Sequence, residues 1–241
     1  MTHTRRFYRH TAPSWGTAFN VKHHASDLHI LADSDLHDAA YRVLVQVREE
    51  LDGHIKEHQD FLYSLSPVDQ PADCPEIAAM MYRASQLTGT GPMAAVAGAI
   101  AELTGKELLK HSSAVIVENG GDIWLSVPDP VIIAIYAKNI YFRDNIAVRL
   151  DPRQMPCSVC TSAPKLGHSL SFGKADSVTI IAESGALADA AATMTCNMVQ
   201  EENDMESALD RALSVPGVTA GLIIFRDKLA LQGDLELAPP R

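Results

Sequence analysis

The chain lacks any long apolar run, so nothing in its 241 residues reaches the length a membrane-spanning helix needs. Positive charge is scarce as well: 20 Lys and Arg stand against 30 Asp and Glu, a formal charge of −10. A surface of that sign repels phosphate backbones, and no basic run or RNA-type aromatic motif offsets it, which argues against nucleic acid as a partner. The start, Met-Thr-His-Thr-Arg-Arg-Phe-Tyr-Arg, is basic but has no apolar core behind it, so it does not read as a secretory signal. The expected address is the cytoplasm. Neither Gly-x-Gly-x-x-Gly nor a Gly-Lys-Ser/Thr phosphate loop occurs. Cysteine is limited to Cys74, Cys157, Cys160 and Cys196, expected as thiols in a reducing compartment. Cys157-Ser158-Val159-Cys160 has redox or metal spacing, but a zinc site needs a second such pair. Two small side chains packed at a strand are the plainer reading.

Hydrophobic residues make up 46% of the chain and charged residues 21%, the balance of an ordinary globular protein. The length allows one large domain or two small ones. No shift in composition marks a boundary, so one domain over residues 1–241 is expected, with room for a cryptic internal duplication. Alternating segments at 18–23 and 27–32 predict an opening hairpin, and helical spacing over 39–55 predicts a helix with Asp35 as its N-cap. Pro75 opens a second helix to Thr88, and a third runs over 93–110. Strands are expected at 114–117, 123–127, 131–137, 145–150 and 177–182, then a helix through Asp189 and another over 205–213. A hairpin turning at Arg226-Asp227 closes the chain. Helices and antiparallel strands without regular βαβ spacing make the class α+β, antiparallel or mixed sheets packed with helices.

Four segments could carry chemistry. Gly89-Thr90-Gly91-Pro92-Met93 opens a helix with almost no side chains in its first turns, so free N–H groups and the positive dipole end are open to close approach. Glu118-Asn119-Gly120-Gly121-Asp122 surrounds two glycines with polar side chains. Glycines weaken a strand by roughly 0.5–1 kcal/mol each, and a plain hairpin turn is the competing explanation. Asp189 and Thr193, four apart, share a helical face, and a carboxylate with a hydroxyl suits a hard cation such as Mg²⁺. A polar patch on a buried helix would look the same. Thr161-Ser162 and the segment from Gly167 to Asp176 gather His168, Lys174 and Asp176. His168 can act as general acid or base there, and Lys174 can hold an anion.

In this order the motifs resemble the ApbE superfamily, whose best-known members are FAD:protein FMN transferases. The counterparts are the glycine-rich start from Gly89 to Gly98, Asn119 to Asp122, Thr161-Ser162, and Asp189 with Thr193. More specifically, Gly-Pro-Met-Ala-Ala-Val-Ala-Gly, Val-Glu-Asn-Gly-Gly-Asp and Gly-His-Ser-x-Ser-Phe-Gly-Lys-Ala-Asp resemble a shorter, uncharacterised branch. Two departures stand out: Ala97-Gly98 replaces a Lys-Gly pair, and the His-x-x-Asp-Pro-x-Thr-Gly loop is absent. The resemblance implies an ApbE-like, T-fold-related architecture and a cavity holding FAD, FMN or a similar phosphorylated ligand. Asp189 and Thr193 match the family's Mg²⁺ ligands. The cavity is expected to draw on Gly89, Gly91, Met93, Glu118, Asn119, Gly120, Gly121, Asp122, Thr161, Ser162 and Lys174. His168 or Asp176 would handle the proton, and a protein could be the acceptor of a transferred group. A homodimer is compatible with all of this. Two other readings stay open: a carrier without turnover, and a sulfur-handling protein acting through Cys160 with Cys157 resolving it. The resembling branch looks associated with sulfur assimilation.

Overall fold

The computed structural model describes residues 15–137, 139–142, 146–163 and 172–239. It opens with a hairpin of β1 (Thr17–His23) and β2 (Ser26–Ala32). In β2 every second residue is buried, as a one-sided strand requires. The long helix α1 (His37–Glu57) buries Ala40, Leu44, Val47 and Leu51 along one stripe. Its N-cap is Leu36 rather than Asp35, although Asp35 still accepts the His37 N–H at 2.9 Å. A short α2 (Gln59–Tyr63) follows, which its five residues are too few to announce in sequence. Next come α3 (Glu76–Thr88), a 3-10 turn over Pro92–Ala95, and α4 (Val96–Leu108). The expected third helix therefore starts later as α-helix than its residues suggest, because Pro92 opens a tighter turn first.

The remaining strands are β3 (Val115–Asn119), β4 (Asp122–Ser126), β5 (Val131–Ala134), β6 (Ala147–Leu150), β7 (Cys157–Ser162) and β8 (Ser177–Ala182). Helices α5 (Gly185–Met198) and α6 (Asp204–Leu213) precede β9 (Val218–Phe225), β10 (Lys228–Gly233) and β11 (Glu236–Ala238). Eight strands form one antiparallel sheet in the order β1-β2-β3-β4-β7-β8-β9-β10. A smaller sheet has the order β11-β6-β5. The class is α+β, as expected. The large sheet contains the same order of elements twice: hairpin, helices, hairpin in β1 to β4, and again in β7 to β10.

Alternation along the strands sorts the core into two layers. One face packs against the helices: Leu28, Ile30, Val117 and Trp124 meet α1, α3 and α4, while Cys160, Val178 and Ile180 meet α5 and α6. The other face buries Leu125, Val159, Ile181, Leu222 and Ile224 with Ile133, Val148 and Leu150 of the small sheet. Among the described residues no helix is long and apolar enough to cross a membrane.

Helix α5 is small-residued for a reason. Ala186, Ala188, Ala190, Ala191 and Ala192 are all buried, so the helix lies close to the sheet and to α4 at once. The closest approach is glycine on glycine. A Cβ on Gly98 would lie 2.0 Å from the Gly185 carbonyl oxygen, and one on Gly185 would lie 2.3 Å from that of Gly98. Neither obstacle is a side chain that can turn away. Gly98→Ala should therefore destabilise the protein by about 3 kcal/mol or more, the range of severe overpacking. Urea unfolding measures it, and a loss below about 1 kcal/mol would show that the crossing is looser than this.

Candidate functional site

At the α4–α5 crossing each helix start is capped from the other helix. The N–H groups of Ala97 and Gly98, in the first turn of α4, both donate to Asp189 Oδ2 at 3.0 Å. The Gly185 N–H, at the start of α5, donates to Glu102 Oε2 at 2.6 Å, and Ser184 Oγ donates to the same oxygen at 2.8 Å. Carboxylates suit such positions, because the first N–H groups of a helix have no internal partner and the dipole end is positive. Glu102 also accepts from Lys106 Nζ at 2.6 Å, so its charge is balanced. Asp189 has no such counter-charge: among the described residues, no basic side chain pairs with it.

Asp122 arrives from the sheet. Asn119 and Asp122 close the β3–β4 hairpin over Gly120 and Gly121, whose φ values of 73° and 109° are the left-handed conformation that a two-residue turn requires. The plain hairpin reading of these glycines is thus realised. The turn is also tied to the helices, because Asn119 Nδ2 donates to the Ala97 carbonyl at 3.1 Å. Glu118 Oε1 accepts the Gly121 N–H at 2.7 Å and steadies the turn. Ile123 pairs with Val159, so one further step of register sets Asp122 beside Cys160 on the helix-facing side. Asp122 Oδ1 accepts the Thr161 N–H at 3.2 Å.

Asp122 and Asp189 are therefore two buried carboxyls on facing elements, near enough to repel one another. Burial, reinforced by the charge of Asp189, pushes the Asp122 carboxyl well above the usual carboxylate range. Burial pushes Asp189 up to about 7, against the opposing pull of the Gly98 and Ala97 N–H groups. Such a pair titrates as a unit. A proton or a cation relieves it.

The other expected residues fall around this pair unevenly. Ser162, two residues beyond Cys160 on the same face of β7, is buried with no hydrogen-bond partner for its Oγ among the described residues. Thr193 is buried one turn after Asp189 on α5. Thr161 Oγ1 is 2.9 Å from Thr179 Oγ1. Gly89 is the left-handed C-cap of α3, and Gly91 lies where a Cβ would meet the Ser64 carbonyl oxygen at 1.9 Å. Both glycines thus have local reasons, and Met93 is half-buried in the turn that follows. Lys174 is exposed. Asp176 Oδ2 accepts from Asn139 Nδ2 and from the Arg226 N–H, each at 2.7 Å, which holds the β9–β10 turn. His168 lies outside the described residues.

Cys157 and Cys160 fall on opposite faces of β7, because positions three apart on a strand point to opposite sides. Cys157 packs against the small sheet and Cys160 against α5, so Cys157 is not placed to resolve Cys160. Burial pushes the Cys157 thiol up to about 12, and burial with the nearby charges of Asp122 and Asp189 pushes Cys160 well above the ordinary range. Glu102 was missed in the sequence. The signal was present as a repeated spacing, Gly98 with Glu102 and Gly185 with Asp189, each four apart. Among the described residues, no three His, Cys, Asp or Glu side chains gather as a metal cage. Clefts of about 330 Å³ beside Glu202 and Lys228 and about 370 Å³ beside Asp35 contain none of the site residues.

Two outcomes follow from these electrostatics. A carboxyl whose folded-state pKa is raised stabilises the fold least where it must ionise. The contribution of Asp189 should therefore be greatest below about pH 4, its unfolded value, and fall as pH rises to about 7. Asp122→Asn keeps the acceptor for Thr161 and removes one charge, so metal-free variant protein should melt about 2–6 °C above wild type at pH 8. The difference should vanish near pH 4, and identical pH profiles would refute the repulsion. In the second experiment, alkylation at pH 8, half-buried Cys74 should react first and Cys160 only on unfolding. Rapid modification of Cys160 in the folded protein would reopen its sulfur chemistry.

The family model described as AbpE bacteria matches residues 9–223. The chain is 39% identical over 201 residues to the UPF0280 protein MJ1526 of Methanocaldococcus jannaschii, covering 81% of this chain and 82% of that one. It is 37% identical over 216 residues to the UPF0280 protein MK0206 of Methanopyrus kandleri, covering 86% and 87%. Among solved structures, the flavin transferase ApbE from Vibrio cholerae superposes with a TM-score of 0.60 at 14% identity, over 90% of this chain and 96% of its own. The apo flavinyl transferase ApbE of Pseudomonas stutzeri gives 0.57 at 13% identity, over 90% and 94%. At such identities the likeness shows the fold. The chain belongs to the AbpE bacteria family, alongside the UPF0280 proteins, and has an ApbE-like fold.

Proposed function

We propose that the protein binds a phosphorylated small molecule of the flavin-nucleotide class together with Mg²⁺ at the Asp122–Asp189 pair. One observation carries this reading: two buried carboxyls lie close together with no basic side chain among the described residues to balance them, where two helix starts meet a glycine turn. The donor set fits Mg²⁺ better than a transition metal. Mg²⁺ takes one or two carboxylates and completes its shell with water and phosphate oxygens, whereas zinc wants a cage of His and Cys. Asp189 would hold the ion, with Asp122 and the Thr193 hydroxyl beside it. Both N–H bonds to Asp189 fall on Oδ2, so Oδ1 takes part in neither. Bound Mg²⁺ would neutralise phosphate charge and polarise phosphorus.

This chain's own groups supply the rest. Ser162 Oγ, without a partner among the described residues, is a donor for a ligand oxygen. The half-buried small residues Ala94 and Ala97 leave room beside the start of α4, whose Ala97 and Gly98 N–H groups are taken by Asp189. The flavin class comes from the likeness to the flavin transferase ApbE. Transfer of part of the ligand to a protein acceptor is the finer form of the proposal, and covalent labelling of candidate acceptors with FAD tests it separately. A carrier without turnover is the second reading. It is favoured by Asp176, whose carboxylate is engaged with Asn139 and Arg226 at the β9–β10 turn.

Calorimetry tests the binding. Mg²⁺ alone should bind weakly, and Mg²⁺ with FAD should bind at least tenfold more tightly, because the phosphates complete the shell. Asp189→Ala should abolish the gain. Equal heats for wild type and variant would overturn the proposal.

A further inference from the structure

Phe172 is one of several large apolar side chains left exposed, and it is the one at the end of α5. It is 60% exposed, yet its backbone is held on both sides. Its N–H donates to Asn197 Oδ1 at 2.7 Å, and its carbonyl accepts from Gln200 Nε2 at 3.1 Å. The next residue, Gly173, lies so close to the end of α5 that a Cβ there would be 1.7 Å from the Cys196 carbonyl oxygen. The Lys174 N–H then donates to the Val199 carbonyl at 2.8 Å. Three successive residues are thus clamped onto the C-terminal turn of α5, with an aromatic ring left in solvent. Folding does not need that ring exposed, since the anchoring is done by backbone atoms and by glycine.

Phe172 lies beside the end of the helix that bears Asp189. Asp189, Thr193 and Asn197 stand four apart along one side of α5. From the Asp189 turn to the Asn197 turn the helix rises about 12 Å. That is the span of a molecule with phosphate at one end and a planar ring at the other, joined by a sugar or sugar-alcohol arm. We infer that Phe172 is the stacking platform for the ring of the ligand, and hence the residue that selects a ring-bearing phosphate over a bare one. This rests on the phosphate–Mg²⁺ reading of the Asp122–Asp189 pair. The backbone that bears the ring is already fixed, and Phe has only two side-chain torsions to order when a flat ligand covers it.

The experiment compares FMN with inorganic pyrophosphate, each titrated with Mg²⁺ into wild type, Phe172→Ala and Phe172→Trp. Phe172→Ala should weaken FMN binding about 10- to 100-fold, the worth of one base–aromatic stack. It should leave pyrophosphate affinity and the melting temperature unchanged. Phe172→Trp should retain FMN affinity and quench flavin fluorescence, a signal that loss of a merely structural contact would not produce. Equal FMN affinity in wild type and Phe172→Ala overturns the platform while leaving the phosphate site standing. Binding of neither compound by wild type overturns both.

Discussion

Backbone meets backbone at Gly98 and Gly185, and most of the molecule is arranged around that contact. Two helices cannot approach so closely unless each start lacks a side chain and each set of unsatisfied N–H groups finds an acceptor. The acceptors are exchanged: Asp189 of α5 serves α4, and Glu102 of α4 serves α5. The alanine run of α5 follows from the same crowding, because the helix must also lie flat on β7 and β8. So does the course of β3 and β4, whose hairpin end is bound to α4 through Asn119.

The exchange is symmetric in geometry and asymmetric in charge. Glu102 has the Lys106 ammonium beside it and is electrically closed. Asp189 has another acid, Asp122, near it and, among the described residues, no base. A fold that wanted only to cap two helices could have balanced both. Leaving one carboxylate opposite another in a buried position is unfavourable in isolation, and such local conflicts with stability are where function is to be sought.

The large elements were legible because they obey simple periods. The β8 strand, the two-residue turn at Gly120-Gly121 and the helical stripe of α1 follow from alternation, glycine and spacing. The α2 turn and β11 were not legible, since elements of five and three residues carry too little pattern. For the site, the motifs around Asp122 and Asp189 stood out singly, and their meeting was expected only from the resemblance of their order, because nothing local links residues so far apart. For Cys157 and Cys160 the plainer reading, small side chains packed at a strand, is the one the structure realises. The competing redox spacing fails because a strand throws the two thiols to opposite faces. Asp176 likewise stood in a polar cluster by sequence and turned out to hold the β9–β10 turn.

The hydrogen bonds from Ala97 and Gly98 to Asp189 bridge sequence separations of 92 and 91 residues. Contacts that distant form late, because the chain between them must be closed before they can be made. During synthesis the first four strands and α4 can emerge complete while the start of α4 is still uncapped. Only when α5 has left the ribosome can the carboxylate arrive. Capping of α4 thus depends on the joining of the two halves of the sheet, and a chain stopped short of α5 lacks the carboxylate that receives the Ala97 and Gly98 N–H groups.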